Sequence, residues 1–115
     1  MAKYMLLIFG DDAQWEAMTS EQAKAHDATH RTFTAAAGSR LVGGGALEPA
    51  PLATTIRSDG ADGFLTTDGP FLETKEAVGG YYLLEASDLD EVIKLASLLP
   101  EVHASHSAVE IRPTR

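Results

Sequence analysis

The chain has 115 residues and a formal net charge of -8, from 9 lysines and arginines against 17 aspartates and glutamates. This length fits a single domain over 1–115, and a content of 44% hydrophobic and 23% charged residues excludes a disordered or fibrous protein. The acidic balance repels phosphate backbones and anionic lipid headgroups, so we expect neither nucleic acid nor a membrane as a partner.

The composition also limits the compartment. The chain contains no cysteine, which excludes disulfides, thiolate catalysis and thiolate metal sites. The apolar run 4–9 is too short for a signal-peptide core, and no other run approaches the length of a membrane span. We therefore expect a cytoplasmic protein.

The first half of the chain predicts a strand, a long helix and a glycine-rich strand. The continuous apolar run 4–9 suits a strand better than a helix. Thr19 and Gln22 have capping-box spacing, and a glycine ends the alanine-rich stretch that follows, so we predict a helix over about 20–37. The segment 41–47 contains three consecutive glycines and predicts a second strand, which a neighbouring group approaches closely or which contains a bulge.

The second half predicts four strands and one helix. Ser87 and Asp90 have the spacing of a capping-box variant, and they precede an amphipathic helix that Pro100 ends. His103 and His106 follow this helix in a loop and are expected to be exposed. Turn-forming and apolar residues indicate a hairpin and two further strands. These four strands are predicted over 53–57, 64–67, 78–85 and 107–112.

The predicted order β-α-β-β-β-β-α-β is the α+β, ferredoxin-like plan (βαββαβ) with an inserted β-hairpin. Both faces of strand 4–9 are apolar, and residues 81–84 repeat this pattern. Two helices cover only one side of such a sheet, so the other side would expose a contiguous apolar surface. A second, identical sheet would cover that surface with two-fold symmetry. We therefore predict a homodimer, with an exposed apolar sheet as the alternative.

Two histidines of the predicted first helix are candidate acid/base residues. At 100° per residue, His26 and His30 fall on the same stripe as Phe33 and point toward the sheet. An imidazole with an unperturbed pKa of about 6.5 exchanges protons near neutral pH, and Asp27 could hold or charge-stabilise one of them. The alternative is structural, with inward histidines satisfied by tyrosine hydroxyls or backbone carbonyls.

A metal ion is a further alternative for the same helix. His26 and His30 stand at i, i+4, the spacing that zinc-binding helices use, and Asp27 or a sheet carboxylate could be a third ligand. The pair lacks the glutamate and the distant third ligand of known zinc motifs. We therefore predict no metal and no cofactor.

The segment 67–76 combines turn chemistry with alternating charge. Asp68 begins an Asp-Gly-Pro sequence that favours a fixed loop, while Glu73 and Lys75 place opposite charges ahead of the next strand. Lys75 could pair with a carboxylate of the chain or of a bound acid, and Arg57 is a second candidate anion clamp. Together with Tyr82, these four residues form the predicted ligand-binding set, with purely structural roles as the alternative.

The segment Thr-Asp-Gly-Pro-Phe-Leu-Glu-Thr-Lys-Glu over 67–76 resembles the motif of the DGPF proteins, a branch of the YCII-related family. Further landmarks of similar type are spread over nearly the whole chain. They are the opening strand from Tyr4, the glycine-rich strand ending in Leu47, Thr55-Ile56-Arg57, Gly79-Gly80-Tyr81-Tyr82, Asp88-Leu89-Asp90-Glu91 and Val109-Glu110-Ile111-Arg112-Pro113.

The resemblance implies a ferredoxin-like subunit of a dimeric α+β barrel. It also implies a histidine and an aspartate as acid/base residues, with either His26 or His30 as the family histidine. The leading hypothesis is therefore an enzyme or binder of a small, anionic organic molecule, with its pocket between the first helix and the sheet. The alternative, from the same resemblance, is a regulatory or accessory protein linked to an extracytoplasmic-function sigma factor. A purely structural dimer module is a third reading.

Overall fold

A computed structural model of the chain describes residues 1–115, and six strands form in it. Four of them pair in the order β2-β5-β1-β6, with all neighbours antiparallel, whereas β3 and β4 form a separate hairpin. All six strand predictions are confirmed, with ends that differ by about two residues at most. The strands are β1 (Ala2–Asp11), β2 (Leu41–Ala46), β3 (Thr54–Ser58), β4 (Phe64–Asp68), β5 (Glu76–Ala86) and β6 (Ser107–Pro113).

Three helices accompany the strands: α1 (Asp12–Glu16), α2 (Ser20–Ala37) and α3 (Leu89–Ala96). The sheet order, with α2 and α3 as the two crossover helices, confirms the ferredoxin-like α+β fold with an inserted hairpin. The short α1 was not predicted. None of the three helices has the length and apolar character needed to span a bilayer.

Local signals set the ends of the two longer helices. Thr19 Oγ1 accepts a hydrogen bond from the Gln22 amide at 3.1 Å, and the Gln22 side chain accepts one from the Thr19 amide at 2.9 Å, so the predicted capping box is confirmed. The prediction for α3 was wrong by one residue. Asp88, rather than Ser87, is its N-cap and accepts a hydrogen bond from the Glu91 amide at 2.9 Å.

The core lies between one face of the sheet and the helices α2 and α3. We call this side of the sheet the closed face. On β1, Tyr4 and Leu6 point into the core, and on β5, Leu84 and Ala86 do so. The fully buried Phe33 of α2 packs among them. The helical residues of the core are completed by Ala37, Val92, Leu95 and Ala96.

A bulge in β5 shapes one end of the closed face. The pairing of β1 with β5 shifts between Ile8 and Phe9, which leaves Gly79 as the extra residue. The Trp15 ring lies against Gly79 and Gly10: a Cβ added at Gly79 would lie 2.6 Å from Trp15 Cη2, and one added at Gly10 would lie 2.7 Å from it. The two glycines therefore make room for the indole of α1.

The opposite side of the sheet, which we call the open face, carries no helix of the chain. Met5, Leu7 and Leu83 lie on it half-buried, and Tyr81 is exposed. Beside this face runs an arm, which we define as residues 54–75: the hairpin β3–β4 and the segment that follows it.

The arm extends away from the rest of the domain. Ile56, Phe64, Phe71 and Leu72 are each more than 60% exposed, at 62%, 67%, 66% and 68%. The radius of gyration is 16.1 Å, against about 13 Å for a compact domain of this length. The arm is therefore largely uncovered within one chain.

Candidate functional site

A cavity of about 820 Å³ lies against α2, β2 and the start of β5. Its walls combine apolar side chains with the backbone of glycines in β2 and at the β5 bulge. Polar groups enter it from α2, from β5 and from the turn Pro100–Val102. The polar side chains are His26, Asp27, His30, Tyr82 and Glu101.

Two imidazoles share one carboxylate oxygen at the wall of this cavity. Nε2 of His26 lies 2.9 Å from Oε2 of Glu101, and Nε2 of His30 lies 2.8 Å from the same oxygen. The two histidine rings are 4.9 Å apart between centroids. One turn of helix separates the residues, so both rings reach the same partner, as the predicted stripe requires.

Glu101 is held in place by the turn that carries it. Pro100 starts this 3-10 turn, and the fully buried Leu99 precedes it in the core. The Ser107 hydroxyl donates a hydrogen bond to the Glu101 carbonyl at 2.8 Å. The Glu101 side chain is only 3% exposed, and its Oε1 is buried without a hydrogen-bond partner. A buried carboxylate therefore faces the two histidines with one oxygen unused.

Tyr82 extends the cluster on the other side of His30. Its hydroxyl lies 2.7 Å from Nδ1 of His30, and its ring packs against Phe33 at a centroid distance of 4.6 Å. A Cβ added at Gly44 would lie 2.8 Å from Tyr82 Cδ1, so the glycine of β2 leaves space for this ring. The order of contacts is Tyr82, His30, Glu101, His26.

Two pKa values in the cluster are shifted. Burial alone would raise the pKa of the Glu101 carboxyl, but the hydrogen bond and charge of His30, with a smaller contribution from His26, lower it overall. Burial raises the pKa of Tyr82, the nearby Glu101 charge adds to this, and Thr34 opposes it. The carboxyl is therefore ionised and the phenol protonated at neutral pH.

These charge states set the direction of the hydrogen bonds. The protonated Tyr82 hydroxyl donates to Nδ1 of His30, and Nε2–H of His30 then donates to Glu101. Nε2 of His26 lies 2.9 Å from the same carboxylate oxygen, a charge contact without the geometry of a hydrogen bond. Nδ1 of His26 makes no hydrogen bond within the chain.

The structure brings His26, His30 and Tyr82 of the predicted site residues together. Asp27 lies on the same cavity, but it is exposed and bonds to neither histidine. The expectation that Asp27 holds an imidazole is corrected, because successive helix residues point about 100° apart and Glu101 takes that place.

The other predicted ligand-binding residues lie elsewhere. Arg57 of β3 stacks on the Phe71 ring at 4.9 Å, and Asp68, Glu73 and Lys75 are exposed on the arm. None of the four lines the histidine cavity.

The arm's Asp-Gly-Pro-Phe sequence forms a defined loop. The Gly69 amide donates to the Ala53 carbonyl at 2.6 Å, and the Thr55 hydroxyl donates to the Gly69 carbonyl at 2.8 Å. Gly69 has a φ of +100°, a left-handed conformation that favours glycine. This geometry supports the structural reading of the motif.

Sequence reasoning missed Glu101 and misjudged His106. Glu101 is 71 residues from His30, and its one local signal is the acidic residue after a proline that begins a turn. His106 was expected to be exposed, yet it is half-buried with its ring 6.1 Å from that of Trp15. The exposed His103, by contrast, is confirmed and contacts the Ser97 carbonyl.

The cluster also satisfies the basic requirement of a metal site. The ligand atoms of His26, His30 and Glu101 all lie within 4.8 Å of one another. Two imidazoles and a carboxylate are a donor set that Zn²⁺ and similar ions accept.

Comparison with known proteins agrees with the resemblance drawn from the sequence. Residues 2–115 match the YCII-related domain family. An uncharacterized protein of Rhizobium meliloti (strain 1021) is 31% identical over 116 residues, which cover 96% of this chain and 90% of that protein. The chain belongs to the YCII-related family.

Proposed function

We propose that the protein binds a small organic molecule in the cavity beside α2 and transfers a proton to or from it. The observation that carries this proposal is the buried carboxylate of Glu101, shared by two imidazoles at the wall of a cavity of about 820 Å³. Buried ionisable groups with a specific charge partner in a cleft are typical of functional sites.

His26 is the proposed general acid/base. Nε2 of His26 lies 2.9 Å from the Glu101 carboxylate and Nδ1 has no partner in the chain, so with the ring proton on Nε2 the lone pair of Nδ1 can accept a proton from a bound molecule. The imidazolium that results is stabilised by the ionised Glu101 at 2.9 Å. Nδ1–H can then return the proton to a second atom of the same molecule.

His30 and Tyr82 are proposed positioning residues. Both ring nitrogens of His30 already have partners, Tyr82 on one side and Glu101 on the other. His30 therefore fixes the carboxylate for His26 rather than meeting the substrate through a free nitrogen. The Tyr82 hydroxyl lies on the cavity and can donate a hydrogen bond to a bound oxygen when it turns from His30.

The lining favours a largely apolar substrate with one exchangeable proton. The cavity has apolar groups from β1, α1 and β2, and it contains no lysine or arginine. A molecule with an acidic proton next to a carbonyl group matches this lining, because such a proton is removed by a base of near-neutral pKa. For an anionic ligand, the imidazoles would be the cationic partners in place of Arg57 and Lys75.

Proton exchange at carbon offers a test that does not require the natural substrate. In D₂O, ¹H NMR would follow the loss of α-protons from a panel of small ketones and keto acids in the presence of the full-length protein. We expect catalysed exchange that His26→Ala abolishes and His30→Ala reduces, because the first removes the base and the second loosens its orientation. The exposed His103→Ala is the matched control and should leave the rate unchanged. Undiminished exchange and ligand affinity in the double variant H26A/H30A would sink the assignment.

We also propose that a second copy of the chain packs on the open face. Apolar side chains of β1 and β5 line this face, and an apolar groove of about 770 Å³ joins it to the arm through Phe9, Val78 and Phe71. Contiguous apolar surface of this kind marks an interface more often than a solvated face. Two-fold pairing would cover both open faces and both arms.

Native mass spectrometry tests the pairing. Leu7 is half-buried at the centre of the open face, opposite Tyr81 across the strand pair. The wild type should appear as a dimer and Leu7→Asp as a monomer, because a charge at this point cannot be paired or solvated in the interface. Lys24→Ala, exposed on α2 on the other side of the sheet, is the control and should leave the dimer intact. A monomeric wild type would overturn the proposed pairing. The exposed arm would then favour a different protein partner, such as the sigma factor of the alternative hypothesis.

A further inference from the structure

We propose that Nε2 of His26, Nε2 of His30 and the Glu101 carboxylate bind one divalent first-row transition-metal ion of the Zn²⁺ class. This site goes beyond the proton-transfer function proposed above and differs from the sequence-based prediction of no metal. Glu101, the missing third ligand of the histidine pair, makes the difference.

The donor geometry is close to what such an ion needs. In a tetrahedral site with ligand bonds of about 2.0–2.2 Å, neighbouring donor atoms are about 3.3–3.6 Å apart. The two Nε2 atoms lie 2.9 and 2.8 Å from Oε2 of Glu101. An outward shift of about half an ångström per donor pair would therefore admit the ion. Side-chain torsions alone can provide a shift of that size.

The charge of the site favours a cation. Glu101 is 3% exposed, and no lysine or arginine forms an ion pair with it. Apart from the two imidazoles, the chain places no cationic side chain against this buried carboxylate. A divalent ion would supply a matching positive charge. The buried and unpartnered Oε1 is a further free donor on the same carboxylate, so Glu101 could bind through one oxygen or both.

The surroundings of the site match those of a bound metal. A metal-binding histidine usually donates its second ring N–H to an oxygen that fixes the ring. If Nε2 of His30 held the ion, Nδ1–H would donate to the Tyr82 hydroxyl oxygen, which lies 2.7 Å away. The three ligands also line the cavity, so water or a bound molecule could complete the coordination.

Metal binding and the proposed proton transfer exclude each other. When Nε2 of His26 holds an ion, the ring proton resides on Nδ1, which then donates but cannot accept. The same ring thus has a proton-transferring form without the ion and an inactive form with it. This consequence rests on the proposed function, whereas the binding of the ion does not.

Titration of Zn²⁺ alone into the untagged, chelator-stripped full chain tests the site. We expect one ion per chain by isothermal titration calorimetry. His26→Ala, His30→Ala and Glu101→Gln should each weaken binding by more than about 100-fold, beyond the range usual for outer hydrogen-bond partners. Tyr82→Phe keeps all three ligands and should weaken binding by about 10–100-fold, because His30 loses its orienting oxygen.

His103→Ala is the matched control, since this histidine is exposed and its Nε2 contacts the Ser97 carbonyl rather than a member of the cluster. It should bind Zn²⁺ as the wild type does. Circular dichroism identifies any variant that fails to fold. The His26 side chain is 22% exposed, so His26→Ala should lose the least core packing of the three ligand variants. Absence of binding by the wild type, or equal affinity in folded His26→Ala, would overturn the site. Zn²⁺ binding with no proton exchange in any assay would leave the site standing and reject the proposed function instead.

Discussion

The closed and open faces of the sheet are built from the same two central strands, yet their surroundings differ. On the closed face, α2 and α3 bury Leu6 and Leu84 completely and enclose a charged side chain, Glu101, among hydrogen-bonding partners. On the open face, Leu7 and Leu83 remain half-buried, and the arm beside them is extended and apolar. The comparison teaches that a single chain buries only one side of its own sheet. The buried polar cluster lies on that finished side, and the other side is the one on which we propose that a second copy packs.

Truncation of an aromatic residue should give the largest contrast between the two regions. Phe33 is 0% exposed beneath the sheet and Phe64 is 67% exposed on the arm. Phe33→Ala should lower the free energy of unfolding by about 3–5 kcal/mol, because it leaves a cavity in the core. Phe64→Ala should change it by less than about 0.5 kcal/mol in the dilute monomer. Urea unfolding at two protein concentrations measures both.

A large loss in Phe64→Ala that appears only at high protein concentration would sharpen the comparison, since mass action would then show that the arm packs in an assembly. Equal losses of unfolding free energy in Phe33→Ala and Phe64→Ala at low protein concentration would contradict the contrast between the two regions.

Glu101→Gln should give the next largest effect. The substitution keeps the side-chain shape but removes the charge, and we expect a loss of about 1–3 kcal/mol at neutral pH, as for other buried charged hydrogen bonds. The pKa of Glu101 is lower in the folded chain than in the unfolded chain. Its ionisation therefore stabilises the fold above the unfolded value of about 4.3, and this stabilisation is lost as pH falls through the lower folded value.

Unfolding curves between neutral and acidic pH check that sign. The stability of the wild type should fall below about pH 4.3 more steeply than that of Glu101→Gln, and the two should converge. Parallel pH profiles would mean that the carboxyl is not stabilised by the histidines.

Gly79→Ala should have the smallest of the three effects and should act on the tryptophan. Its Cβ would meet Trp15 Cη2 at 2.6 Å, so the indole has to move. We expect a loss of about 1 kcal/mol, the lower end of the usual cost of overpacking. Trp15 is the single tryptophan of the chain, so its fluorescence reports the displacement directly. Gly43→Ala is the control, because its Cβ would lie at an ordinary 3.8 Å from Leu83 Cβ. Identical spectra for both variants would contradict the packing of Trp15 on the bulge.

The fold could be predicted from the sequence because its signals are local. The capping box at Thr19 fixed the start of α2, and the apolar run beginning at Tyr4 identified the central strand. The helical stripe correctly placed His26 and His30 side by side on the cavity.

The remainder of the site depends on long-range contacts that no local pattern encodes. Asp27 was expected to hold a histidine because it is adjacent in the chain, but the true partner comes from a turn after α3. Leu99 precedes this turn and is buried in the core, and its packing there brings Glu101 to the histidines. Likewise, Arg57 and Lys75 have suitable chemistry, yet both lie on the arm, away from the cavity. The packing of segments that are distant in the chain therefore decides which chemically suitable residues come into contact.

The central position of β1 has a consequence for the order of events during synthesis. This strand precedes the other five in the chain, but its two neighbours in the sheet are β5 and β6, the last two of the six. The residues of β1 must therefore wait for partners about 65 or more positions away, and loop closure of that length slows folding. A nascent chain that lacks the final segment carries both histidines without their carboxylate. The polar cluster thus forms only after the turn that carries Glu101 has been synthesised and has packed against the sheet.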